Sequence, residues 1–281
     1  MAATPLAFSL AVNLDHVGWW ADDLDTARLE FQQLGFNVTR PASLLTGAGP
    51  DAPQDEGQRS SHIMFQNTYL ELTSVAGEVI PPHLSHYQAG SGLKIIALGC
   101  GDVNALHAGL KTTGWDLVDP ARSERQLNYG AQSDEPVRFQ WFMATPRQFP
   151  EVLVCMVEHL DRQRLFDPDI TRQPNHVAEL TEVLMLSEEP ERSYLRYQPL
   201  ESSPEDATGW LTFLTREQAE LAYPGARLPL VAANASAQCI PMGVVLRSGK
   251  LGLLRQKLPQ QSNGQVWFAA PGSTIVVVRE C

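Results

Sequence analysis

The stretch "VNLDHVGWWADDLDTARLEFQQLGF", residues 12–36, places His16 in a short apolar strand, ahead of a glycine, two tryptophans and a helix that opens on acidic residues. Asp22, Asp23 and Asp25 stand where an N-cap or first helical turn favours negative charge. Leu24, Ala27, Phe31 and Leu34 recur on one helical face, and Gly35 ends the helix before a strand expected at 36–38. A Gly/Pro/Asp-rich loop, "LLTGAGPDAPQDEGQ", leads to "SHIMFQ" and "TYLELTSV", which Gln66 and Asn67 separate in the manner of a hairpin turn. The unit reads βαβββ. An imidazole walled in by apolar neighbours is either a buried, hydrogen-bonded group or a group in use.

A shift of 79 positions lays "ADDLDTARLEFQQLGFNV" over "GCGDVNALHAGLKTTGWDL". Asp23 then falls on Asp102, Leu24 on Val103, Phe31 on Leu110, Gly35 on Gly114 and Val38 on Leu117. The helix start, its apolar face and its glycine stop coincide, which marks an internal repeat. This second copy ends in the strand candidates "VRFQWFMA" and "EVLVCMVEHL". A Pro-rich, charged stretch, "DRQRLFDPDITRQPNH", precedes two shorter units. In these, "ELTEVLMLSEEPERSYLRYQPL" reads as strand and helix, and "TGWLTFLT" and "AELAYP" as strands. "IPMGVVLRS", helix "GKLGLLRQKL", "GQVWFAAP" and "STIVVVREC" follow. The expected fold is α+β, with tandem βαβββ modules curling mixed β-sheets into open cups and helices packed outside. Residues 8–162 form the first pair of modules and 175–281 a second, degraded pair.

The 281 residues, 43% hydrophobic and 19% charged, suit a soluble globular chain with a sizeable core. No apolar run reaches the roughly 18–20 residues that span a bilayer, so no membrane partner is expected. The N-terminal stretch lacks the basic start and cleavage site of a signal peptide, giving a cytoplasmic expectation. A net charge of -11 without clustered Lys or Arg argues against nucleic acid. Cys100, Cys155, Cys239 and Cys281 form no C-x-x-C pair and read as reduced thiols.

"LDHVGWWADDLDTARLEFQQLGF", "TYLELTSV" and "VEHLDRQRLFDPDITRQPNHVAELTEVLML" together resemble the vicinal oxygen chelate superfamily, and within it the glyoxalase-like domain proteins. The resemblance implies a cup in which residues of the first and fourth strands converge on a divalent metal (Zn, Fe, Mn, Ni or Co) that chelates two neighbouring oxygens of a small-molecule substrate. By position, His16 is then the first-strand ligand and Glu71 the fourth-strand one. The second copy departs from the pattern, because Ile95 stands 79 places after His16; its fourth strand offers Glu158 or His159, of which strand alternation lets one face the site. Three protein ligands would leave room for water and substrate. Glu71 or Glu158, if free of metal, is a candidate general base.

Trp19, Trp20, His62 and Tyr69 are candidate pocket walls, with core packing the plainer role for at least one tryptophan. Glu182 and Glu280 occupy similar strand positions in the C-terminal half, where symmetry alone argues for a second metal. His83, His86 and His107 read as solvated. The implied activity is that of a metal-dependent lyase, isomerase or dioxygenase; a metal-free protein that binds or sequesters a small molecule is the other class. A homodimer is compatible with either.

Overall fold

The computed structural model describes residues 12–47, 54–75, 80–87, 90–126, 136–200, 209–231, 239–256, 266–270 and 274–281. The first unit comprises β1 (Asn13–Trp20), α1 (Leu24–Gln33), β2 (Ala42–Gly47), β3 (Gln54–Met64) and β4 (Tyr69–Val75). The second comprises β5 (Gly92–Gly99), α2 (Val103–Thr112), β6 (Ala121–Gln126), β7 (Pro136–Met143) and β8 (Leu153–His159). The helix starts are set as the acidic residues predict. The Asp23 carboxylate accepts from the backbone N–H of Asp25 at 3.1 Å, and Asp102 accepts from that of Ala105 at 2.9 Å. Gly35 (φ 84°) and Gly114 (φ 88°) close the helices in the left-handed region that glycine enters without strain.

The eight strands pair in the order β1-β4-β3-β2-β6-β7-β8-β5, and the expected cup closes on itself as a barrel. An eight-stranded barrel has an interior just wide enough for side chains or one small ligand. The helices lie outside: Phe31 of α1 meets Trp19 of β1 edge to face at 5.6 Å, in a core with Val17, Phe36, Leu70 and Leu72. The inward residues Trp20, Ile95, Ala97, Leu153, Cys155 and Val157 form a separate cluster with Leu84 and Tyr87.

Two assignments in the first unit change. The second strand is Ala42–Gly47, not 36–38; Phe36 is irregular in backbone and packs beneath α1 against Phe31. The expected loop contributes strand at both ends, to Gly47 and again from Gln54, its middle (48–53) lying outside the described residues.

Short helices α3 (Arg162–Leu165) and α4 (Pro168–Thr171) lead to β9 (Val177–Ser187), α5 (Pro190–Tyr197), β10 (Leu211–Leu214), α6 (Arg216–Ala222), β11 (Cys239–Ser248), α7 (Leu251–Arg255), β12 (Val266–Ala270) and β13 (Thr274–Glu280). The stretch expected as strand "AELAYP" is instead mostly helix α6. Thr215 caps Gln218 N–H at 3.2 Å while the Gln218 side chain returns to Thr215 N–H at 2.9 Å, a capping box that fixes the helix start. The end of "GKLGLLRQKL" (257–258) lies outside the described residues, as do the flanks of β12 at 264–265 and 271.

The C-terminal strands form one sheet, β10-β9-β11-β13-β12. Its pairings, β9 parallel to β10, β11 parallel to β13 and β9 antiparallel to β11, copy those of β1 with β4, β5 with β8 and β1 with β5 in the barrel. Main-chain and side-chain bonds tie the parts together: Gln173 Oε1 accepts from Asn37 N–H at 2.8 Å, and Thr68 Oγ1 from Leu180 N–H at 3.0 Å. No helix among the described residues is long and apolar enough to cross a membrane.

Candidate functional site

Strand alternation sends Val17 and Trp19 outward from β1 and His16 inward, and a register shift between Leu14 and His16 interrupts the β1–β5 ladder at Asp15. This bulge puts the Asp15 carboxylate beside the rings of both His16 and His159. The Asp15 carboxylate Oδ1 accepts from His16 Nδ1 at 2.8 Å and from His159 Nε2 at 2.9 Å. Burial would raise the Asp15 carboxyl, but the two imidazoles, His159 foremost, override it and hold the group well below the usual carboxylate range. In the neutral imidazole this bond fixes the proton on Nδ1 of His16 and leaves Nε2 with its lone pair. The ring is stacked on Tyr69 at 4.2 Å and 15°.

Glu71 projects inward from β4. Its Oε2 lies 3.7 Å from His16 Nε2, and its Oε1 accepts from Arg125 Nη2 at 2.9 Å. Arg125 Nη1 donates to His62 Nε2. Burial raises the Glu71 carboxyl, yet Arg125, His16 and His62 together bring it down to about 2. Burial and the Arg125 charge push His62 well below the ordinary histidine value. The cavity has about 470 Å³ of space not filled by atoms, its open mouth included. The first unit contributes His16, Leu44, Gln58, Tyr69 and Glu71, whereas Ile95, Phe139, Trp141, Leu153, Cys155 and Val157 of the second are largely apolar.

The expected residues separate. His16, Glu71, His62 and Tyr69 converge. His159 faces inward but is bonded to Asp15, and Glu158 points out of the barrel, where its Oε2 accepts from Val103 N–H at 3.0 Å and caps α2. Trp19 is fully buried beneath α1, and Trp20 is inside the barrel but does not line the cavity. Of the histidines read as solvated, His86 is exposed, whereas His83 lines the cavity, bonded by Nε2 to Gln58 Oε1 at 3.0 Å and lowered by burial to about 4, and His107 is buried against Phe142. Glu182 is held by Arg279 at 2.7 Å and by Thr212, and Glu280 is exposed at the chain end.

Asp15, Arg125 and Cys155 are absent from the candidate site residues found by sequence, Cys155 reading there only as a reduced thiol. The ladder explains Cys155. His16 pairs with Ala97 and Gly18 with Ile95, so the 79-residue shift maps each pair onto the other. Gly18 is paired with Glu71 across β4, and its image Ala97 with Cys155 across β8. The counterpart of Glu71 is therefore Cys155, not Glu158 or His159. Laying "YLEL" over "LVCM" is the signal that finds it. Burial pushes the Cys155 thiol far up and keeps it protonated.

The residues present do not fit the divalent ion that the resemblance implies. Symmetry offers His16, Glu71, Ile95 and Cys155; Ile95 has no donor, Cys155 keeps its proton, and one Glu71 oxygen is engaged by a guanidinium. Among the described residues no three His, Cys, Asp or Glu side chains group as an ion's ligands, where a catalytic site ordinarily has three protein ligands.

The family profile described as "Glyoxalase-like domain" matches residues 14–201, more than half of the chain. No curated protein matches the sequence. Among solved structures, a hypothetical protein from Staphylococcus aureus superposes with a TM-score of 0.63 at 11% identity, covering 96% of this chain and 100% of that one, a likeness of fold. A Streptomyces coelicolor methylmalonyl-CoA epimerase variant in complex with 2-nitronate-propionyl-CoA matches at 21% identity and a TM-score of 0.37, covering 53% of this chain and 95% of that one. The Mycobacterium tuberculosis methylmalonyl-CoA epimerase is 23% identical over 54% of this chain and 91% of its own, with a TM-score of 0.36. With its paired βαβββ units and the profile match over most of the barrel and the segment beyond it, this chain belongs to the glyoxalase-like domain family.

Proposed function

We propose that the barrel is the active site of an enzyme that moves a proton on a small molecule bearing vicinal oxygens. The observation that carries this reading is the Asp15–His16 pair: a buried carboxylate holds Nδ1 at 2.8 Å and turns the other imidazole nitrogen toward the cavity. A carboxylate that fixes tautomer and ring orientation is what a general base requires. His16 Nε2 takes the proton from carbon, and Asp15 stabilises the imidazolium that results. Glu71, brought down to about 2, is too weak a base for that step and serves to hold Arg125. The reaction class proposed is isomerisation or lyase chemistry through an enolate. The metal-dependent form implied by the resemblance would need Glu71 released from Arg125, so no step here uses an ion.

A second reading, a protein that binds or sequesters a ligand without turnover, is favoured by the apolar wall of Phe139, Trp141, Leu153 and Val157. Exchange of carbon-bound hydrogen separates the two. Chelator-treated protein in D2O is expected to exchange the hydrogens beside the carbonyl of hydroxyacetone or glyceraldehyde, followed by proton NMR. His16→Ala should slow the exchange by about 10²–10⁴-fold, the usual range for a general base. Exchange that persists unchanged in His16→Ala removes the enzymatic reading, and exchange absent from the wild-type protein leaves the binding one.

A further inference from the structure

Arg125 is 8% exposed, and its three nitrogens are used unequally. Nη2 donates to Glu71 and Nη1 to His62, while Nε is buried with no partner among the described residues. A buried donor left unpaired costs about 1–3 kcal/mol. Both neighbours that could turn the guanidinium aside instead fix it: one is a carboxylate in a 2.9 Å ion pair, the other an imidazole whose Nε2 accepts. The result is a rigid cation whose Nε–H is left unpartnered, in the barrel that also contains His16.

The charges around it decide what completes it. Arg125 is matched by Glu71, and Arg162 approaches Asp15 Oδ2 at 3.7 Å from the barrel rim. Among the described residues lining the cavity no further guanidinium is left for a third anion, and a carboxylate ligand would meet Glu71. A neutral molecule whose oxygen becomes negative only during reaction meets no such penalty, and a preorganised donor stabilises that charge without reorganisation.

We propose that Arg125 is the oxyanion-binding catalytic residue of this barrel, occupying the role a divalent ion would fill, and that the substrate is a neutral α-hydroxy carbonyl compound. The inference rests on His16 acting as the base. The carbonyl oxygen accepts from Arg125 Nε–H, and the neighbouring hydroxyl donates to Glu71 Oε2, the oxygen that faces His16. His16 Nε2 removes the proton from the hydroxyl-bearing carbon, the C–H electron pair becomes the C=C bond, and the carbonyl π pair moves onto the oxygen held by Arg125. Returning that proton to the former carbonyl carbon, as the hydroxyl proton passes to the other oxygen, exchanges carbonyl and hydroxyl with no oxidant or reductant.

The test uses the full chain after chelator treatment, with hydroxyacetone as the neutral probe and glycolate as its anionic counterpart. Hydroxyacetone should shift the ¹⁵N-resolved Nε–H resonance assigned to Arg125 saturably, and glycolate at equal concentration should not. Exchange of hydroxyacetone hydrogens should fall about 10²–10³-fold in Arg125→Met, and Arg125→Lys should recover part of it. Thermal unfolding of both variants, with Arg125→Lys as the better-tolerated one, separates loss of fold from loss of function. A resonance moved by glycolate alone makes the site an anion site and overturns the proposal. So does a resonance moved by neither probe, which leaves water as the partner of Nε. Wild-type exchange in folded Arg125→Met also overturns it while leaving His16 as the base. If Nε–H responds to hydroxyacetone but the wild-type protein exchanges nothing, oxygen binding by Arg125 stands, and both the proton-transfer reading and the catalytic role given to Arg125 fall.

Discussion

Replacing Arg125 by methionine strips Glu71 of the one full positive charge bonded to it, at 2.9 Å, and leaves a carboxylate that is 3% exposed. In the intact protein that carboxyl sits at about 2 instead of the ordinary 4.5. A difference of that size corresponds to about 3 kcal/mol between charged and neutral forms. Without the guanidinium the first cause acting on Glu71 is burial, which raises it. Breaking a buried ion pair on one side costs about 3–5 kcal/mol, a large share of the 5–15 kcal/mol that typically holds a protein folded.

The pH dependence supplies the sign. In Arg125→Met a raised Glu71 makes the folded form the tighter proton binder, so the deficit is full at neutral pH and shrinks as the carboxyl protonates on acidification. Arg125→Met with Glu71→Gln carries no buried charge and should be more stable at pH 7 than Arg125→Met alone. Urea unfolding of the wild-type protein, both single variants and the double variant between pH 5 and 8 measures this coupling. If Arg125→Met loses less than about 1 kcal/mol, or if the single and double variants run parallel across pH, the pair is not what holds Glu71 ionised.

Asp15 and Glu71 are both depressed, so their stabilisation is complete above their ordinary values of 3.8 and 4.5 and is lost as pH falls toward their folded values; His62, depressed from 6.5, adds a loss that starts below that pH. Urea midpoints should therefore fall steadily from pH 6.5 to 3, and a flat profile contradicts the charge assignment. Arg125→Ala frees Glu71 Oε1 beside His16, so Zn²⁺ should raise the melting temperature of this variant more than that of the wild-type protein; equal shifts would mean that Arg125 does not guard the carboxylate. Asp15→Asn should slow hydroxyacetone exchange by about 10–100-fold while leaving ligand-induced shifts of Arg125 in place, and unchanged rates would remove Asp15 from the proton path. A Cβ on Gly18 would lie 2.6 Å from Ile95 Cβ and 2.7 Å from its Cδ1; Gly18→Ala should cost about 1–3 kcal/mol, relieved only in part by Ile95→Ala, which removes Cδ1 and keeps the Cβ, as read from chemical denaturation.

The first strand and helix were legible because several rules agree there: apolar residues on both strand faces, acidic caps and a glycine stop. β2 was misplaced because "ASLLTG" alternates weakly, whereas Phe36 and Val38 look like strand but pack as irregular backbone. α6 hid within an apolar stretch whose capping box lies upstream at Thr215 and Gln218. In the site, His16 and Glu71 could be found from their strand positions. Asp15 could not, because strict alternation sends the neighbour of an inward residue outward and only a bulge reverses that. Arg125 lies in "ARSERQ", a polar strand with no apolar period to announce it, and its inward face depends on the closure of β2 onto β6. Cys155 was displaced by His159, a better metal ligand that happens to lie near by in the chain.

The two halves of the barrel, alike in pairing and unlike in lining, have a stereochemical consequence. Where His16 faces the cavity from one half, the other presents Ile95, Leu153, Val157, a protonated Cys155 thiol and the Arg125 guanidinium, which donates and does not accept, and His83 is tied by Nε2 to Gln58. Among the described residues that line it, a molecule seated there meets a proton acceptor from one side only. Inverting a carbon centre needs removal from one face and delivery to the other, and so a second acid opposite the first. A lone imidazole returns the proton to the face it left. The transfer between adjacent carbons is then suprafacial, and deuterium carried from one carbon to the next should appear with a single handedness.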